Sequence, residues 1–293
     1  MTTAFEINSF EEYLQTVRKE LPEGRKYFRG QTKLVSAGYA LRPSLGRYAH
    51  LSDKSPRELD DLERKVLDVF SNHLVTHVQH LPRDEWQSLA IAQHHGLPTR
   101  FMDWTTNPLV ALYFAVRETK TDDDDRPVHS AVYVLTSDPI RYTDFSRNNG
   151  TVRPVRDTAT ERPAGDDPYS KFGVGDTQEP DEEKAETPDA EDVAEEPATK
   201  IPSPFDIADD VIYHPPHISP RMRAQDSVLL ACHRPLQPLE EKDWLELLIH
   251  HEAHDDIRRR LDQYGVFDRQ LFPDLDGIAK WLRYRVFEIK GAC

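Results

Sequence analysis

Between residues 145 and 205 the chain almost runs out of aliphatic side chains and is rich in Pro, Glu, Asp and Thr instead. A stretch of that composition cannot bury enough apolar surface to offset the entropy of ordering it. It reads as a disordered acidic insert. Strand-like segments resume beyond it, so residues 1–144 and 206–293 are expected to fold together as one interrupted domain. Asp157 to Lys200 hold 15 acidic and four basic residues, and the whole chain carries a formal charge of −15. The folding portions are therefore close to neutral. An insert of this kind is a solvated segment, or a docking site for a basic partner.

The charge balance also excludes classes of function. A non-specific duplex-DNA binder needs a basic face that displaces counterions, and this chain has none in its sequence. No run of about 18 apolar residues is present, so no membrane span and no membrane partner are expected. The first residues, MTTAFEINSFEEYL, lack the basic and apolar regions of a signal peptide. Two cysteines, Cys232 and Cys293, make no disulfide framework. The expectation is a cytoplasmic protein.

Hydrophobic periodicity and capping residues give the elements. Helices are expected over Phe10–Glu20 (capped by Ser9 with Glu12), 56–80 (capped by Ser55), 85–95 (capped by Asp84), 108–118 (capped by Thr106 or Asn107), 239–264 and 275–286 (capped by Asp274). Strands are expected at Lys26–Arg29, after Gly96, at Ala131–Leu135, Asp210–Tyr213 and Ser227–Ala231. The order predicts an α+β domain with a small mixed sheet flanked by helices.

Two segments concentrate residues that could carry chemistry. In Tyr27-Phe28-Arg29-Gly30-Gln31 an arginine ends a short strand, where its guanidinium can hold phosphate or carboxylate. Gly30 lets a ligand or a neighbouring backbone come close. The plain structural alternative is an internal pair, with Asp103 as a candidate partner. The second segment runs Gln93-His94-His95-Gly96-Leu97-Pro98-Thr99-Arg100-Phe101-Met102-Asp103-Trp104-Thr105-Thr106-Asn107-Pro108 and opens a helix. Thr105 and Thr106 place hydroxyls at a helix N-terminus, a natural anion site, and Trp104 offers a flat ring for stacking. The alternative is that these residues merely cap the helix and fill the core.

YFRGQ, AQHHGLPTRFMDWTTNPLVALYFAV and a later PDLDG resemble the FRG domain family, a bacterial module named for its (Phe/Tyr)-Arg-Gly motif. His95 stands where that family more usually has Tyr. WTTNPLVALYFA is in turn similar to the Ser-Thr-Ser motif of Arg-Ser-Glu-class ADP-ribosyltransferases. This second resemblance implies an ADP-ribosyltransferase-like fold, a nucleotide such as NAD as cofactor or substrate, and a protein or nucleic-acid acceptor. It implies Arg29, Thr105 and Gln225 as the catalytic set. It implies Tyr27, Arg29, Gly30, Gln31, Gln93, His94, Trp104, Thr105 and Thr106 as the residues around the nucleotide. In those enzymes a late Glu stabilises positive charge developing at the ribose, a task that needs a carboxylate. Here Ser227 takes that place, with Gln225 and Asp226 before it. Two functions follow: an ADP-ribosyltransferase or NAD glycohydrolase with a toxin or phage-defence role, or a non-catalytic module that senses a nucleotide or a partner.

No metal is expected. His73, His77 and His80 share a helix face without a paired Cys or an obvious ligand carboxylate, and His251-Glu252-Ala253-His254 is one residue short of the zinc-protease spacing. His250 and His254 remain a candidate pair at one helical turn.

Overall fold

The computed structural model describes residues 4–21, 24, 26–78, 81–147, 201–216 and 219–288. The chain divides into two units, Met1–Asp144 with Pro202–Cys293, and Phe145–Ile201. Nearly all of the second unit, including the acidic run, lies outside the described residues.

The first unit is built on a mixed eight-stranded sheet. Its strands are β1 (Ala4–Ile7), β2 (Phe28–Gln31), β3 (Phe101–Thr105), β4 (Ser130–Leu135), β5 (Ile140–Arg141), β6 (Val211–Tyr213), β7 (Ser227–Ala231) and β8 (Trp244–Ile249). Their order across the sheet is β1-β8-β4-β2-β3-β7-β6-β5. The helices are α1 (Phe10–Lys19), α2 (Pro56–Leu74), α3 (Glu85–His94), α4 (Pro108–Val116), α5 (Tyr142–Arg147), α6 (Pro220–Ala224), α7 (His254–Gln263), α8 (Asp268–Leu271) and α9 (Leu275–Arg283). The α+β expectation holds, with a sheet larger than the small one expected.

The caps read from the sequence close their helices. Ser9 accepts from Glu12 N, Ser55 forms a capping box with Glu58, and Asp84 accepts from Gln87 N. Asn107, rather than Thr106, accepts from Leu109 N and Val110 N, and Asp274 accepts from Gly277 N. Helix α2 ends at Leu74, short of the expected 80.

The long helix expected over 239–264 is wrong in its first half. Trp244-Leu245-Glu246-Leu247-Leu248-Ile249 is strand β8, paired antiparallel with β4 over six residues and parallel with β1 over four. A short apolar run reads equally as strand or buried helix, and two neighbouring edges settle it here. The end of the insert also differs from its expected boundary at 205. Trp86 Nε1 donates to Pro202 O at 2.9 Å, and Phe205 is buried, so 202–205 belong to the packed domain.

Each face of the sheet has its own core. On one, α1, α4 and α7 cover Phe28, Val132, Val134, Leu247 and Ile249. Helix α4 is apolar on all sides, as a helix buried between layers must be. A Cβ added to Gly30 would stand 1.9 Å from Ala111 O and 2.6 Å from Ala115 N, so Gly30 is where α4 rests on β2. On the other face Tyr27, Met102, Trp104, Tyr133, Val228 and Leu230 pack beneath Leu34, Val35 and Leu41.

Arg100, 1% exposed, locks three segments together. Its Nε donates to Glu63 Oε2 at 2.9 Å and Nη1 to Pro204 O at 3.1 Å, while Nη2 reaches Glu63 and Asp60 on α2. Its backbone N–H adds a bond to Glu63 Oε1 at 3.0 Å.

Candidate functional site: a polar cleft beside strand β2

Strand β2 pairs with β4 along its whole length but with β3 at one position only, Phe28 opposite Thr105. Past that pair the Asp103 carbonyl is not used by β2. Arg29 Nη1 donates to it instead. The Nε of Arg29 is buried with no hydrogen-bond partner among the described residues. Burial pulls the guanidinium's pKa down from its ordinary value, against the opposing pull of the Asp103 carboxylate.

A cleft of about 330 Å³ opens here. Arg29, Gly30, Gln93, His94, Trp104, Thr105 and Gln225 line it, together with Asp103, Arg117, Arg221 and Ser227, which the sequence reading had not assigned to binding. Phe28, Phe114, Met222 and Leu229 supply apolar wall. Thus Arg29, Thr105 and Gln225, from three distant parts of the chain, meet at one cavity.

Their individual geometry is less uniform than the resemblance implies. The Thr105 hydroxyl donates to Gln225 O at 2.7 Å and accepts from Asn107 N at 3.0 Å, so its one hydrogen is committed to tying the strand end to Gln225. Gln225 caps α6 instead of opening a strand, and its Nε2 donates to Leu271 O at 3.0 Å. Asp226 has φ 45°, a left-handed turn, and its Oδ2 accepts from Asn107 Nδ2 at 3.1 Å. It does not line the cleft. Ser227, opposite Thr105, does.

Of the residues expected around a nucleotide, Tyr27, Gln31 and Thr106 lie away from the cleft, and Trp104 lines it with its ring packed into the core. The Trp104 ring, 2% exposed, packs in the core of the opposite face, and so does Tyr27. Neither offers a stacking surface. Gln31 Nε2 donates to Tyr39 O at 3.1 Å, away from the cleft. Thr106 is exposed outside it, its N–H bonded to Asp226 O. Alternation along β3 explains the Trp104 result: Asp103 and Thr105 point to the α4 side, Trp104 to the other.

Gln93 and Asp103 form the cleft's central polar pair. Gln93 Nε2 donates to Asp103 Oδ2 at 3.1 Å, and its Oε1 accepts from Thr99 Oγ1 at 2.7 Å. His94 is half-buried; burial, then His95 and Arg221, lower its pKa, and Asp103 opposes them. His94 is thereby held towards its neutral form. Asp103 and Arg221 were findable in principle: one alternates with Trp104 within the motif, and the other sits four residues before Gln225.

A second hollow, about 270 Å³, lies among Leu45, Leu51, Leu62, Leu67 and Leu89. Its one acid, Glu63, is consumed by Arg100. It lacks the convergent polar groups of a site with chemistry. Among the described residues, His129, His250 and Glu252 have ligand atoms within 4.8 Å of one another. His129 Nδ1, however, accepts from His251 N at 3.1 Å. His254 does not pair with His250; it lies buried between the hydroxyls of Thr119 and Ser130, at 2.9 and 2.8 Å. His73 and His77 are exposed, and His80 lies outside the described residues. No helix among the described residues is long and apolar enough to cross a membrane.

Fold and cleft together define an α+β domain with a mixed sheet and a polar cavity beside a short, arginine-bearing strand. Residues 24–124, which contain both motifs, match the family model of the FRG domain. Arg221, Gln225 and Ser227 fall outside the matched segment. No curated protein and no solved structure matches the chain.

Proposed function

We propose that the cleft binds a nucleotide, with NAD as the leading candidate. The observation that carries this reading is the meeting of Arg29, Gln93, Asp103 and Gln225 at one cavity, with a buried guanidinium N–H of Arg29 left unpartnered. A buried donor without an acceptor costs about 1–3 kcal/mol, and a ligand oxygen would relieve it. In this reading Arg29 holds a phosphate or ribose oxygen, and Gln93 with Asp103 takes sugar hydroxyls. Gly30, beneath α4, serves the fold and not the ligand.

Two forms of the function differ in chemistry. As an enzyme the protein would transfer ADP-ribose to a protein or nucleic-acid acceptor or hydrolyse NAD, in a toxin or phage-defence role. As a sensor it would bind without reaction. Ser227 at the place of the late Glu favours the sensor; Asp103, a carboxylate within the cleft, is the one group lining it that could meet the enzyme's need for negative charge. Incubation with NAD separates them. Nicotinamide release that Arg29→Ala abolishes identifies the enzyme, and saturable binding without release identifies the sensor. Absence of NAD binding in both proteins rejects NAD as the ligand.

A further inference from the structure

We infer that Arg117 and Arg221 form a phosphate-binding subsite of this cleft, so that its ligand carries a phosphate or diphosphate group. The inference rests on the cleft being a ligand site and adds the chemistry of one end of the ligand.

The two arginines come from separate elements, the C-terminal end of α4 and the first turn of α6, and both line the cavity. Each guanidinium lies over an aromatic ring. Arg117 Cζ is 5.4 Å from the Phe114 centroid, and Arg221 Cζ is 4.7 Å from that of Phe272. The two rings meet edge to face, 6.1 Å apart. Adjacent rings thus hold both cations near one another. A cation–π contact orients a guanidinium, at about 0.5–1 kcal/mol when exposed, without cancelling its charge.

That charge stays uncancelled. Neither Arg117 nor Arg221 enters an ion pair among the described residues. Some other arginines do, Arg64 with Glu85 and Asp206 and Arg283 with Glu288, and others such as Arg57 and Arg223 do not; what sets Arg117 and Arg221 apart is that both also line the cavity. Position at a helix C-terminus would account for Arg117 alone. For Arg221 the effect is small, because in the five-residue α6 the first and last turns overlap and few peptide dipoles add up. Two guanidinium forks without ion pairs, each over a ring beside one cavity, suit a dianionic oxygen group, which each can bind in bidentate fashion. Asp103, in the same cavity, repels phosphate and sets the ligand's direction: anionic end to Arg117 and Arg221, hydroxyl-bearing end to Asp103 and Gln93.

The test is calorimetric titration of the full chain with ADP, adenosine and inorganic pyrophosphate, repeated on the Arg117→Gln/Arg221→Gln double variant, whose fold is checked by its unliganded melting temperature. Both side chains are exposed, so the variant should lose only the two cation–π contacts, melting a few degrees lower in a single cooperative transition. A double-lysine variant, which keeps charge and loses the fork, should fall between the two. ADP is expected to bind at least tenfold more tightly than adenosine, with that advantage erased in the glutamine variant. Pyrophosphate binding that exceeds ADP binding and vanishes in the variant supports the subsite but makes its occupant inorganic. Equal affinity for ADP and adenosine, or unchanged ADP binding in the variant, overturns the subsite and leaves the cleft reading standing. No binding of any of the three overturns both.

Discussion

Arg29 and Arg100 stand on neighbouring strands or at their ends, and the protein treats them in opposite ways. Arg100 is enclosed, and its donors are met by Glu63, Asp60 and Pro204. Arg29 is half-buried, makes one bond to a backbone carbonyl and keeps a buried Nε–H without an acceptor. Removing one partner of a buried charged pair costs about 3–5 kcal/mol, because the other charge is left uncompensated. Arg100 therefore serves the fold. Arg29 is a charge the fold has not finished satisfying, beside a cavity, and this is what the proposed function rests on.

The sharpest way to break this contrast is Arg100→Met. Burying Glu63 without its cation should lower unfolding free energy in denaturant melts by about 4 kcal/mol. Adding Glu63→Leu to that variant should recover much of the loss, since replacing both charges removes the uncompensated one. A loss below 1 kcal/mol in the single variant would show that Arg100 is not the fastening described. Next in size is Gly30→Ala, whose Cβ would strike the backbone of α4 at Ala111. Overpacking of this kind should cost about 3 kcal/mol, and a melt unchanged from the parent's would mean that α4 does not rest on β2 as described.

Comparable in total, but smaller at any one pH step, is a pH effect from His254. Burial lowers its pKa to about 4 in the folded chain. The unfolded chain takes up the proton first, near pH 6.5. Stability is then complete above the unfolded value and falls as pH drops from about 6.5 to about 4, by roughly 1.4 kcal/mol per unit. His254→Asn should remove that part of the slope; an identical slope in both proteins would assign the effect to another group. The smallest expected change is the one that matters most for function: Arg29→Gln should alter stability by less than about 1 kcal/mol, because it deletes one backbone bond and one unsatisfied donor together.

The same contrast marks what the sequence could disclose. Helix caps were legible because they act within four residues: Ser9, Ser55, Asp84, Asn107 and Asp274 bond their own first turns. Strand β8 was not, because Trp244–Ile249 is an apolar run whose state depends on β4 and β1, far away in the chain. Arg29 was legible from its motif. The Trp104 ring and Tyr27 pack in the core of the other face, which the sequence could not disclose: strand alternation says which residues share a face, but not which face carries the cavity; the docking of α4 decides that. Arg117 and Arg221 carry no motif, and only packing on Phe114 and Phe272 brings them together.

The central claim, that Arg29 is unsatisfied because a nucleotide satisfies it, is tested most directly by melting the protein with and without NAD. At a concentration a hundredfold above Kd, binding should add about 2.7 kcal/mol to the stability of the parent chain and nothing measurable to Arg29→Gln at the same concentration. A parent protein that NAD does not stabilise, or an Arg29→Gln protein stabilised as much as the parent, would contradict it.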